Sequence, residues 1–187
     1  MDPKILTAII VIVAILAVVF VLFVTRRRKT EHLKQTFGSE YDRVVHQHGD
    51  PQRAETVLAE REKRVSHFEL RSLPPTERER YVQQWAFVQR KFVDDPKGAV
   101  NEADRLVTDV MNARGYPMSE FNQRADDISV NYPDAVGNYR TAHEIVLRHG
   151  RGQSSTEDLR KAMVHFRSLF DELLGKAGVP QKNKEVA

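Results

Sequence analysis

The chain has 187 residues and no cysteine, which excludes disulfides, thiolate nucleophiles, thiolate metal sites and palmitoylation. Its formal net charge of +3 suggests a nucleic-acid partner only until charge is followed along the chain: residues 1–29 hold five bases and one acid, while 24 bases face 25 acids over residues 30–187. The larger part is therefore close to neutral, and no nucleic-acid partner is expected.

Residues 5–24 read ILTAIIVIVAILAVVFVLFV, in which Thr7 alone carries a polar side-chain group. At about 1.5 Å per residue the run covers roughly 30 Å, the hydrocarbon thickness of a bilayer. The pattern predicts one transmembrane helix over residues 5–25 behind a short extracytoplasmic N-terminus, residues 1–4. A cleaved signal peptide fits worse. The leading MDPK has one acid and one base, the apolar run exceeds the usual length of about 7–15 residues, and no small-residue cleavage site closes it. It ends instead in Arg26, Arg27, Arg28 and Lys29, a basic juxtamembrane stop that predicts the N-terminus outside and the rest of the chain in the cytoplasm. These four bases are the candidate lipid-facing residues, each attracted to anionic headgroups by about 1 kcal/mol. The bilayer is thus the first expected partner.

Beyond the stop, Gly, Pro and cap residues punctuate apolar positions at helical spacing. The spacing predicts a helix over 30–47 with Leu33, Phe37, Tyr41, Val44 and His48 on one side. No breaker separates it from the anchor, so the two are expected to run on as one rod. Asp50 and Pro51 read as N-cap and first-turn proline. They open a helix to about residue 70 with Ala54, Leu58, Arg61, Val65 and Phe68 on one face and EREKR on the other, where Glu60 and Arg64 are spaced to pair. Pro74 and Pro75 introduce a helix to about residue 93 whose stripe is Tyr81, Trp85, Val88 and Phe92, with Phe87 off it. Asp95 and Pro96 repeat the cap device before Val100, Ala103, Leu106, Val107, Val110 and Met111, and Gly115 ends that helix.

A shorter helix follows Pro117 and Ser119, carrying Phe121, Ala125 and Ile128. The next, over 134–149, aligns Val136, Tyr139, His143 and Leu147. Ser154 and Glu157 have capping-box spacing ahead of Leu159, Met163, Phe166, Phe170 and Leu173. Residues 176–187 have no periodicity and are expected to be disordered. No segment alternates as a strand. The expected fold is all-α: a single N-terminal transmembrane helix followed by a bundle-like soluble domain of about six or seven helices over residues 30–175.

Catalytic signatures are missing: phosphate-binding glycine loops, HExxH, GxSxG and EF-hand spacing do not occur. No catalytic residue, metal ligand or cofactor is therefore assigned. His46 and His48 point to different sides of a helix, unlike the i, i+4 pairs that hold metals. The adjacent pairs Asp94–Asp95 and Asp126–Asp127 diverge by about 100° on a helix, so neither makes a dyad by itself. His143, in an otherwise apolar stripe, is a candidate buried polar site, as a hydrogen-bonded core histidine or a group poised for proton transfer. Arg61 is the second such residue, its stem lining the core while its guanidinium reaches a carboxylate at the rim. Phe87, Tyr116 and Met118 are candidate partner contacts.

The stretches FVDDPKGAVNEADRLV from Phe92, RGYP from Arg114 and STEDLRKAMVHFRSLFDELL from Ser155 resemble a bacterial group of uncharacterised membrane-anchored or secreted helical proteins. The likeness covers about residues 37–174. It implies a bacterial source and hence the cytoplasmic membrane, and carries over no activity, cofactor or site residue. The leading expectation is a single-pass membrane-tethered interaction module, an adaptor or accessory subunit whose partners are other membrane proteins. The alternative is an enzyme or small-ligand binder with an inter-helix pocket near His143.

Overall fold

A computed structural model describes the backbone of residues 3–175 and the side chains of residues 12–175. The expectation for residues 176–187 lies outside the described residues, as do the side chains of 5–11 within the expected span. The described chain is all helix: α1 (Pro3–Phe37), α2 (Ser39–His48), α3 (Pro51–Val65), α4 (Pro75–Lys91), α5 (Pro96–Ala113), α6 (Phe121–Ile128), α7 (Pro133–Gly150) and α8 (Thr156–Leu174), with no strand among the described residues. It divides into two compact units, Met1–Ala59 and Glu60–Ala187, and the division falls within α3. Residues 30–175, expected as one soluble domain, contribute to both.

In the first unit α1 is continuous from the apolar run through the basic stop. The described apolar part, residues 12–24, covers roughly 20 Å at about 1.5 Å per residue. Among the described residues no helix is long and apolar enough to cross a membrane. The helix expected over 30–47 is broken at Gly38, whose φ of 48° is open to glycine and strained for other residues. α1 ends just before it and α2 starts just after. Leu33, Phe37, Tyr41, Val44, Ala54 and Leu58 form the buried core of this unit, while His48 is exposed. A polar tie fixes the junction: Glu55 Oε1 accepts from Thr30 Oγ1 at 2.8 Å and from Tyr41 Oη at 3.1 Å. Burial and the Glu55 carboxylate push the Tyr41 hydroxyl pKa up to about 12. Asp50 caps α3 by accepting from the Gln52 amide at 3.0 Å.

The second unit buries a core drawn from α4, α5, α7 and α8, with Ala125 and Ile128 from α6. α8 packs on α7 and α5, α4 on α5, and α6 on α7. Trp85 of α4 stacks on Phe170 of α8, ring centroids 4.6 Å apart. The predicted faces of α5 and α8 are buried throughout, because each lies against more than one neighbour. Asp95 caps α5, accepting from Gly98 N at 2.8 Å.

Four expectations change here. α3 ends at Val65 and not near residue 70, since Ser66 Oγ and His67 Nδ1 each bond the Lys63 carbonyl at 2.7 Å. The next segment is then drawn off by the end of α5: Arg71 N–H donates to Arg114 O at 3.0 Å and Arg71 Nε to Ala113 O at 2.6 Å. Arg64 passes over Glu60 to reach Asp127 at 2.7 Å, a partner on α6. The α7 stripe runs through Ala135, Val136, Tyr139, Ala142 and Ile145, which leaves Leu147 exposed. The capping box of α8 is Ser155 with Asp158, one residue later than expected, while Ser154 Oγ bonds the Ile145 carbonyl at 3.4 Å.

Candidate functional site

Where α5, α6 and α7 meet, aromatic and polar groups gather around His143. The Phe121 ring lies flat on the imidazole, centroids 3.5 Å apart and planes 8° from parallel, and the Tyr139 ring lies 4.9 Å from it. Arg124 is held in place by donating Nε to Tyr139 Oη at 3.1 Å and Nη1 to the Ser119 carbonyl at 3.0 Å. Tyr139 also bonds the Thr108 side chain, and burial raises its hydroxyl pKa.

Three polar atoms of this cluster are sealed from solvent without a hydrogen-bond partner: Asp104 Oδ1, Ser119 Oγ and His143 Nδ1. Leaving a buried polar atom without a partner costs on the order of 1–3 kcal/mol. Desolvation raises the Asp104 carboxyl above its ordinary 3.8, against the pull of His143, Arg124 and Arg105. Desolvation lowers His143 below 6.5, with Arg124 acting the same way and Asp104 and Glu144 opposing. The two groups thus titrate toward one another from opposite ends of the scale.

The linkage has a definite sign for each. His143, depressed in the folded state, contributes stability that is present above pH 6.5 and lost as pH falls through its lowered value. Asp104, raised, contributes stability that is present below pH 3.8 and lost as pH rises through its raised value. Asp104→Asn removes a charge that favours the imidazolium, so His143 is expected to titrate lower still. Histidine ring-proton shifts followed by NMR from pH 4 to 8 read this directly. An upward move, or none, contradicts the coupling.

The other residues singled out in the sequence are dispersed. Arg61 is buried and pairs with Asp126 Oδ1 at 2.9 Å, an oxygen that also takes Arg140 at 2.8 Å. Arg26 to Lys29 are exposed on α1, with the Arg27 guanidinium 5.7 Å from the centre of the Phe23 ring. Phe87 is 54% exposed in a groove of about 800 Å³ between α4 and α5, with Val88 and Leu106 along its floor and Arg80, Gln84 and Arg105 among its polar lining. Met118 is exposed. Tyr116, expected as a partner contact, is a core residue at 3% exposure: its ring meets Phe68 edge-on and its hydroxyl accepts from Asn131 Nδ2 at 2.8 Å. Its side chain is taken up by contacts within its own unit.

Asp104 and Arg124 were not singled out by sequence pattern, because a lone charge on an amphipathic helix reads as part of its solvated face. Among the described residues no group of three or more His, Asp or Glu is placed to hold a metal ion. Comparison of the chain with protein-family models, with curated proteins and with solved structures finds no match.

Proposed function

We propose that the chain is a single-pass, membrane-tethered helical interaction module of the bacterial cytoplasmic membrane, its N-terminus outside and its helical units in the cytoplasm. One observation carries the tether. The large apolar side chains of residues 12–23 stand 56–67% exposed on all sides of α1, while Leu33 and Phe37 on the same helix are fully buried. A contiguous apolar surface of that extent is a liability in water and is at rest in hydrocarbon. The basic collar Arg26 to Lys29 follows where a headgroup layer begins. The tether runs without a break into a packed unit through Thr30, Leu33 and Phe37, so it holds that unit at a fixed height and attitude.

The interaction surface assigned to the module is the α4–α5 groove around Phe87, a site of the size that receives side chains or small ligands. Phe87→Asp is expected to leave thermal stability within about 0.5 kcal/mol of wild type, as exposed positions do. It is expected to strip the full-length protein of associated membrane proteins after mild detergent extraction. A wild-type protein that elutes at the size of a lone monomer in its micelle counts against the module. A second reading, a small-ligand binder at the His143 cluster, is favoured by the unpaired Asp104, Ser119 and His143 atoms. A panel of small polar metabolites that raises the melting temperature of wild type no more than that of Asp104→Asn removes it.

A further inference from the structure

α4 and α5 are joined by the short turn at residues 92–95 and pack on one another as an antiparallel pair, with Lys91 Nζ on Glu102 Oε2 at 2.8 Å. One turn back along α4 from Lys91 stands Phe87, and one turn on along α5 from Glu102 stands Leu106, so these two face each other across the groove. Val88 and Leu106 are buried in its floor, while Phe87 keeps 54% of its surface exposed. An exposed ring beside an apolar floor is a knob and a hole on one surface.

The charged lining of the groove is divided. Lys91 is taken up by Glu102 and, at 3.9 Å, by Asp95, and the Arg80 guanidinium rests 5.0 Å from the centre of the Tyr81 ring. Arg105 and Asp109 are exposed in the same groove, and neither makes a hydrogen bond or ion pair among the described residues. They stand at i and i+4 on α5, the spacing of an intrahelical pair. On α8 the same two residue types at that spacing, Arg167 and Asp171, close to 2.8 Å. Arg105 and Asp109 stay open, and so offer a partner one basic and one acidic group a turn apart on one stripe.

A surface that carries a base and, one turn on, an acid is complementary to itself turned end for end. A two-fold axis crossing α5 between residues 105 and 109 lays that helix antiparallel on its copy, and each Arg105 then faces the other copy's Asp109. Because Phe87 lies across from Leu106, the same axis passes close to Phe87, where a residue meets its own equivalent. We propose that a second copy of this chain closes the α4–α5 groove across this axis, with the two Phe87 rings packed on each other over both apolar floors and an Arg105–Asp109 pair on either side. Such a dimer rests on the reading of the groove as the module's interaction surface and supplies its occupant. Two chains tethered in one membrane are confined to it, which raises the concentration at which they meet.

The test uses the purified full chain in density-matched detergent micelles, weighed by sedimentation equilibrium over a range of concentrations. Wild type is expected to be a reversible dimer. Phe87→Asp is expected to raise the dissociation constant by about tenfold or more, the effect of a charge at the centre of an interface. Arg105→Asp sets acid against acid across the axis and Asp109→Arg sets base against base, so each alone is expected to weaken the dimer by about tenfold. Mixed one to one, these two variants restore the opposite-charge pairs, and they are expected to bind each other about as tightly as wild type binds itself. A misfolded variant cannot produce that recovery. The dimer is ruled out by a wild type that stays a single chain, by association indifferent to Phe87→Asp, or by a mixture that binds no tighter than either variant alone. A single-chain wild type that still captures other membrane proteins through Phe87 from a detergent extract sinks the second copy and leaves the module standing.

Discussion

With Ile15 and Val19 both replaced by arginine, the chain is expected to move from the membrane pellet to the supernatant of an alkaline extraction, in which the wild type stays with the pellet. Each arginine at the centre of a span costs roughly 2.5–3.5 kcal/mol on insertion scales, and the lost apolar side chains add a few tenths each, so the pair removes about 6 kcal/mol or more. Both side chains are about 57% exposed and belong to neither packed core, so the fold is not the reason for release. Trp85, the only tryptophan and a buried residue of the second unit, supplies the control: its fluorescence unfolding curve is expected to superimpose on that of wild type. A wild-type chain already in the supernatant, or a double arginine variant still embedded, ends the tether reading. Exchanging Arg26, Arg27, Arg28 and Lys29 for glutamine asks a separate question. It is expected to leave the chain in the membrane and to mix its orientation.

Apolar spacing was a sound guide where a helix has one wide buried face. The buried faces of α5 and α8 follow from spacing residue by residue, and the Arg61 guanidinium meets the Asp126 carboxylate while its side chain is buried. Spacing failed where a tertiary partner competes with a local rule. Gly38 interrupts a run whose apolar positions stay in register on both sides of it, so periodicity alone passes over the break. Residues 66–74 have helical spacing as far as Phe68, yet Arg71 finds the carbonyls of Ala113 and Arg114. Ser154 with Glu157 and Ser155 with Asp158 satisfy the same capping pattern, and the choice is made by the bond from Ser154 to Ile145 on a different helix. The candidate site divides in the same way. His143 stands out as a polar residue in an apolar stripe. Asp104 and Arg124 become its neighbours only when α5, α6 and α7 pack.

The same substitution is expected to act with opposite sign at two glycines of the second unit. Gly115 follows α5 with φ of 93°, a region that costs a residue with a Cβ about 1–2 kcal/mol, and a Cβ there would run into the backbone carbonyl of Glu69. Neither wall can retreat. The segment containing Glu69 is pinned by Arg71 to the end of α5, and Arg114, next to the glycine, is buried with Nη1 on the Leu173 carbonyl at 2.6 Å. Gly115→Ala is therefore expected to destabilise by about 3 kcal/mol or more, conformational strain and backbone collision together. Gly137 lies inside α7 with open space where its Cβ would stand. There alanine meets nothing and improves helix propensity, so Gly137→Ala is expected to stabilise by about 0.5–1 kcal/mol. Urea unfolding followed by Trp85 fluorescence measures both, since that residue lies at the centre of the same unit, stacked on Phe170. If Gly115→Ala unfolds at the same urea concentration as wild type, residues 66–74 do not rest on the end of α5. The bonds from Arg71 to Ala113 and Arg114 hold that loop, and with it the entry to α4, against the end of the helix that carries Asp104, and glycine at 115 is what lets Glu69 come so close.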